Sequence, residues 1–271
     1  MYLWRRPAIQ RWWSDTEERL RAAAGDRLAI IEETGRKGLQ LEVGSASRAE
    51  LQGLAKEFGG RVLKLPHDWL KRFSREQRTE PIRIGKRLIV LRSRKDRKAR
   101  SFPYNLIIPS GLAFGTGEHA TTAMSLRLLE KLTRKWPPGW SIVDLGTGSG
   151  VLALAARRFG ATRVVGIDND PVAIATARKN ARLNKINHLE FRVGDVRRWK
   201  SSRQIDIVTA NLFSELLINI LPKLKAARWM ILSGILRNQE RYVTRALRRL
   251  KIDIVQARRR GKWVAILTAV R

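Results

Sequence analysis

The sequence predicts an α/β protein, a mostly parallel sheet wrapped by helices, preceded by a small α+β unit at the amino terminus. Two observations carry the prediction. From Phe102 onward, apolar runs of strand length alternate with segments of helical periodicity, the pattern of parallel strands joined by crossover helices. Before that point, roughly the first 65 residues read as strands and helices in the order βαββαβ. With 271 residues, 44% of them hydrophobic, the chain is long enough for two compact domains, one large enough to bury a core of its own.

The elements follow in order. Met1 to Arg5 has strand character, and Ser14-Asp15-Thr16-Glu17, a serine with a glutamate three residues on, signals a helix start with the helix running to Gly25. Leu28 to Glu33 and Leu39 to Val43 flank Thr34-Gly35-Arg36-Lys37-Gly38 and read as a hairpin. Ser47 caps a second helix that buries Leu51, Leu54, Ala55 and Phe58 and closes at Gly59-Gly60, before a strand at Val62 to Leu65. This is the ferredoxin-like order, and residues 1–66 are expected to form a separate substrate-recognition domain. Residues 67–100 read as a basic linker with a short helix around Trp69 to Arg78, a strand at Arg87 to Arg92 and an exposed, arginine-rich run to Arg100.

Residues 101–271 form the larger domain. Strands fit Ser141 to Leu145, Arg163 to Asp168, Leu189 to Val193, Ile205 to Ala210 and Trp229 to Ser233. Helices fit the Leu126, Leu129, Leu132 stripe, then Val151 to Phe159, Pro171 to Asn184, Ser214 to Leu224 and Gln239 to Leu250. Ile252 to Ala257 and Lys262 to Val270 leave no room for a helix between them, so the sheet is expected to end in a hairpin.

Composition excludes several chemistries. The chain has no cysteine, and His67, His119 and His188 are far apart, so neither a disulfide framework nor a metal site is expected. No apolar run approaches the ~18 residues of a membrane span. The start carries arginines but no apolar core of a secretory signal, and the expected location is cytoplasmic. The net charge of +31 attracts polyanions such as ribosomal RNA, unless it is simply an arginine-rich solvated surface.

Chemistry concentrates in the larger domain. Val143-Asp144-Leu145-Gly146-Thr147-Gly148-Ser149-Gly150 joins a strand to a helix, and glycines there let backbone approach a ligand at a helix amino terminus. The spacing is G-x-G-x-G, and Asp144 stands two residues before the first glycine. A carboxylate there repels a pyrophosphate and suits a cationic ligand such as the ammonium or sulfonium of S-adenosylmethionine. Val164-Val165-Gly166-Ile167-Asp168 is a strand ending in an acid about twenty residues beyond the glycines, placed to accept hydrogen bonds from ribose hydroxyls. Asp170 and Pro171 then open a helix. Asp195, after the third strand, falls at the adenine end of the same crevice or is a solvated loop residue. Asn211, after the fourth, can orient an amine through its carbonyl oxygen or serve only as a turn residue.

Gly111-Leu112-Ala113-Phe114-Gly115-Thr116-Gly117-Glu118-His119-Ala120-Thr121-Thr122, followed by the Asp144 loop, Gly166-Ile167-Asp168, Ala210-Asn211-Leu212 and Leu232-Ser233-Gly234-Ile235-Leu236, closely resembles the PrmA family. Members of that family methylate the large-subunit ribosomal protein L-eleven. The resemblance covers the chain from about Pro81 to its end. It implies a Rossmann-like, seven-stranded class I methyltransferase domain, S-adenosylmethionine as cofactor, and transfer to lysine ε-amines and the amino-terminal α-amine of that ribosomal protein. It further implies cofactor contacts at Thr122, Gly146, Asp168 and Asn211, with Phe114, Thr116 and Gly148 in the same motifs. Asn211 is the candidate catalytic residue, while His119 either relays a proton or orders its loop. The chain departs from the family pattern at Ala120, where proline is usual, at Leu212-Phe213, where Ile-Leu is usual, and in a shorter amino-terminal domain. Two other readings compete: a ribosomal RNA methyltransferase, which the charge favours but Asn-Leu-Phe at 211–213 does not, and a non-catalytic RNA-binding protein on the same scaffold.

Overall fold

The computed structural model describes residues 2–32, 38–45, 47–65, 81–93, 102–109, 119–201 and 203–270. The chain divides into two compact units, 1–78 and 79–271. In the first, β1 (Tyr2–Ala8), α1 (Gln10–Ala24), β2 (Leu28–Glu32), β3 (Leu39–Ser45), α2 (Arg48–Phe58) and β4 (Arg61–Lys64) build an antiparallel sheet in the order β2-β3-β1-β4. That is the ferredoxin-like arrangement. The period-two pattern of β3 buries Leu39, Leu41 and Val43 against Trp4, Leu20 and Leu51. Ser47 caps α2 by accepting a bond from the Glu50 amide (3.3 Å), and the buried Trp4 indole donates to the carbonyl of Gly59 (2.7 Å).

Helix α1 begins earlier than its sequence signal. Ile9 is the residue before the first turn, no side chain caps it, and Ser14 to Glu17 lie inside the helix. The extra turn carries Trp13, which is buried in the core with Leu20. Burying an indole outweighs the ~1 kcal/mol that a serine cap contributes.

The second unit opens with a three-stranded sheet of β5 (Ile82–Ile84), β6 (Leu88–Leu91) and β7 (Tyr104–Ile107), with β5–β6 antiparallel and β6–β7 parallel. These strands include residues read from sequence as a linker over 67–100. Leu88, Ile89, Val90 and Leu91 are all buried, so this stretch packs with the larger unit. The run is only four residues long between basic neighbours, so composition alone did not mark it as core. Helix α3 (Ala120–Thr133) fastens this sheet: its buried Glu130 pairs with Arg87 (3.3 Å) and Arg134 (2.7 Å).

The main sheet comprises β8 (Ser141–Leu145), β9 (Arg163–Asp168), β10 (Glu190–Val193), β11 (Ile205–Asn211), β12 (Ala227–Leu236), β13 (Ile252–Arg260) and β14 (Trp263–Val270). Their order is β10-β9-β8-β11-β12-β14-β13. The first five pair in parallel, and β14 enters antiparallel between β12 and β13 as the expected closing hairpin. Helices α3, α4 (Val151–Arg158) and α5 (Pro171–Leu183) cover one face through Leu126, Leu152 and Ile174. Helices α6 (Ser214–Leu224) and α7 (Glu240–Arg249) cover the other through Leu217, Leu221, Val243 and Leu247. The central strands, apolar on both sides, are thus buried on both sides. Among the described residues no helix is long and apolar enough to cross a membrane.

Candidate functional site

The site forms where the sheet order reverses. From β8 the chain proceeds to β9 and β10 on one side and to β11 and β12 on the other, which opens a crevice at the carboxyl ends of the strands. The turn from β8 to α4 crosses that crevice. Gly146, Gly148 and Gly150 all have positive φ (71°, 52° and 80°), a region costly for residues with a Cβ. The turn is fixed by bonds from the Gly146 and Thr147 amides to the Ile167 carbonyl (2.8 and 3.0 Å). A Cβ on Gly146 would lie 2.5 Å from Leu212 Cδ2, so a side chain there would also have to push that methyl group aside.

Asp144 braces this turn. Its Oδ2 accepts the Thr147 hydroxyl (2.7 Å) and its Oδ1 the Thr209 hydroxyl (2.6 Å). Thr209 is its register partner on β11, so one carboxyl ties the glycine turn to the neighbouring strand. Asp144 is only 1% exposed and does not line the cavity described below. In this structure both of its carboxyl oxygens are engaged internally. Burial in the central strand pushes its carboxyl up to about 6 despite the two hydroxyl bonds, and the charge of Asp168 adds to the rise.

The remaining acids sit at successive strand ends. Asp168 closes β9, where Oδ2 accepts the Gly148 amide (2.9 Å) and Oδ1 the Asp170 amide (3.1 Å). Asp170 caps α5 by accepting the Val172 amide (2.8 Å), the division of labour expected from sequence. Asp195 follows β10. It accepts the Arg197 amide (2.8 Å) and pairs with the Arg197 guanidinium (2.9 Å), and those bonds hold its carboxyl below the usual range. Asn211 ends β11, with Nδ2 3.4 Å from the hydroxyl of buried Thr122 on α3. Gly234 (φ 84°) on β12 lets the Leu212 backbone approach, since a Cβ there would collide with the Leu212 carbonyl. Phe114 and Thr116 lie outside the described residues.

Gly146, Gly148, Asp168, Asp195 and Asn211 converge on one cavity of about 630 Å³, a size suited to a nucleoside-sized ligand. Its apolar wall comes from Val196, Leu212, Phe213 and Leu216. Phe213, where the chain departs from the family pattern, is 80% exposed on this wall, and Trp263, which sequence reasoning missed, reaches it from β14. Trp263 stands in no motif; only the pairing of Leu236 with Trp263 brings it to the site. His119 packs edge-on against Trp263 (4.9 Å between ring centroids), with Nδ1 2.7 Å from the Thr121 hydroxyl. Burial, then the charge of Lys262, lowers the pKa of this imidazole and favours its neutral form.

The family model for ribosomal protein L11 methyltransferase (PrmA) matches residues 47–271. The chain belongs to this family. A ribosomal protein L11 methyltransferase of Symbiobacterium thermophilum is 38% identical over 191 residues, which are 69% of this chain and 61% of the relative. One from Pelotomaculum thermopropionicum is 36% identical over 204 residues, 73% of this chain and 64% of the relative. The chain thus spans a little over three fifths of the length of these PrmA relatives. A crystal structure of ribosomal protein L11 methylase from Lactobacillus delbrueckii subsp. bulgaricus superposes with a TM-score of 0.64 at 25% identity, covering 71% of this chain and 99% of that one.

The brace gives this PrmA-family chain a pH signature. The Asp144 carboxyl lies at about 6 in the fold against an ordinary 3.8, so the folded state holds an extra proton between those values. Stability from this group is greatest below about pH 4 and falls as pH rises through 6, by on the order of 3 kcal/mol. Asp144→Asn removes the titration, so in urea unfolding it should gain on the wild type as pH rises from about 4 to 7. Parallel stability curves for the two proteins would overturn the assignment.

Proposed function

We propose that the protein transfers methyl groups from S-adenosylmethionine to amines of large-subunit ribosomal protein L11, the lysine ε-amines and the amino-terminal α-amine. The observation that carries this reading is the convergence of the glycine turn, Asp168 and Asn211 on one cavity in a PrmA-family sheet. The residues fit the cofactor. Gly146 and Gly148 offer bare backbone at the cavity wall, and each Asp168 oxygen keeps acceptor capacity beyond its one amide bond for a ribose hydroxyl. Val196 and Leu216 give a purine ring an apolar bed. Thr122, behind Asn211, acts by holding that side chain.

When bound, the cofactor supplies a methyl group on a sulfonium, open to in-line attack. The protein's task is then alignment and exclusion of water. Asn211 Oδ1 is free of its bond to Thr122, which engages Nδ2, and can accept a hydrogen bond from the incoming amine. Trp263, Phe213 and Leu212 form a low-dielectric approach that favours the neutral amine, the form that carries a lone pair. His119, held neutral, orders the wall through Thr121 and Trp263.

The amino-terminal unit is proposed to grip the protein substrate. A ribosomal substrate implies work in the cytoplasm, and the charge of +31 implies contact with ribosomal RNA beside it.

Asp168→Ala should weaken S-adenosylmethionine binding by on the order of 2 to 4 kcal/mol in calorimetry, with unchanged affinity excluding the ribose role. Asn211→Ala should lower turnover on L11 more than cofactor affinity, because alignment acts mainly in the transition state. Equal losses would make Asn211 a cofactor ligand alone. A chain shortened to residues 79–271 should keep cofactor affinity and lose most L11 methylation, read by mass spectrometry. Full methylation by the shortened chain would remove the first unit from substrate recognition.

A further inference from the structure

The face shared by α3 and the edge strand β13 concentrates positive charge that the protein does not neutralise. Alternation along β13 separates two sides. Arg259 turns to α7, where its guanidinium meets Glu240 (2.9 Å). Gln256, Arg258 and Arg260 turn the other way, toward α3, as the bond from Lys131 Nζ to Gln256 Oε1 (2.9 Å) fixes. Arg127, one helical turn before Lys131 and on the same side, donates to the carbonyl of Arg83 (3.3 Å). Among the described residues, Arg127, Lys131, Arg258 and Arg260 have no ion pair. Glu130 on α3 is committed to Arg87 and Arg134, and Glu240 on α7 to Arg259.

Three details point to a missing anion. Arg258 Nε is buried without a hydrogen-bond partner. The pKa of Arg127 is pulled down by burial and then by the charges of Arg260 and Arg258, so three guanidiniums crowd one another. Like charges held together cost free energy, and a bound anion reverses the sign of that interaction. The patch also has a direction: Arg260 pairs across the hairpin with Trp263, a wall residue of the cavity, so the charged face runs to the cavity rim.

We infer that this α3–β13 face holds the phosphate backbone of an RNA strand passing the rim of the cavity. The inference rests on the RNA contact proposed above and assigns it a surface. A polyanion fits better than a single ligand because the cations are spread along two elements. Arg258 and Arg260, two residues apart on a strand, stand about 7 Å from each other, so each fork can take its own phosphate along a chain. An acidic peptide would present carboxylates at irregular spacing to the same forks.

The test uses the full chain and a fluorescein-labelled single-stranded RNA of mixed sequence, with binding followed by anisotropy across a salt series. The triple variant Arg127→Gln, Arg258→Gln, Arg260→Gln should bind at least tenfold more weakly. Its logarithmic salt slope should be shallower by about 2, at about 0.7 per lost phosphate contact. Unchanged calorimetric affinity for S-adenosylmethionine certifies its fold. A matched variant on α7, Arg245→Gln, Arg248→Gln, Arg249→Gln, removes equal charge elsewhere and should bind nearly as the wild type does. Equal weakening in both variants, or competition by poly-glutamate as strong as by unlabelled RNA, overturns the assignment of this face. A wild type that does not bind the RNA overturns the RNA contact itself and leaves the methyl-transfer reading standing.

Discussion

The glycine turn of the site is braced by one carboxyl buried in the sheet. Asp144 holds the hydroxyl of Thr147 on one oxygen and that of Thr209 on the other, and so locks the glycine turn to β11 at the point where the sheet reverses its order. Both bonds lie in the interior, where a lost partner leaves a desolvated hydroxyl and costs about 1 to 3 kcal/mol. The same burial raises the carboxyl's pKa to about 6, so the brace opposes its own ionisation. The position of Asn211, two residues beyond Thr209, follows from this tie, as does that of Gly146, two residues beyond Asp144.

The rest of the site is a problem of close approach. Gly146 makes room for Leu212, and Gly234 makes room for the Leu212 backbone, so the β11 terminus is pinched between two glycines on neighbouring strands. Gly166 plays the same part behind the turn, where a Cβ would meet Phe191 at 2.6 Å and the Thr147 hydroxyl at 2.8 Å. These glycines are not flexible joints. Gly234 lets two backbones approach, while Gly146 and Gly166 leave room for the side chains of Leu212, Phe191 and Thr147, and the crevice keeps its shape because all three contacts are made at once.

The larger sheet was legible because its signals are local. Alternating periodicity gave its strands and helices, and the turn at Gly146 and the terminal acid Asp168 needed only spacing. Other features depend on residues distant in sequence. The bracing bond of Asp144 comes from Thr209, sixty-five residues away, and Trp263 reaches the cavity only through strand pairing. The start of α1 went wrong because a good capping signal at Ser14 lost to the burial of Trp13. The run Leu88 to Leu91 was submerged in arginines that describe its flanks and not its fate.

Charge raises the harder question of how so basic a protein would handle the cationic cofactor and the cationic amine proposed for it. The distribution supplies part of an answer. Asp195 is paired with Arg197, another lining residue, whereas Asp168 lines the cavity without an ion pair among the described residues, so one carboxylate is left to face the place where the cofactor is proposed to sit. Arg127, Arg258 and Arg260 do not line that cavity. A lysine of the proposed substrate that approached past them would meet positive charge, and positive charge favours loss of its proton. On the proposed function the basic surface would therefore work against encounter with a protonated lysine and in favour of the neutral amine. An RNA strand on the α3–β13 face would offset the first effect at long range and leave the second to the apolar wall of Leu212, Phe213 and Trp263.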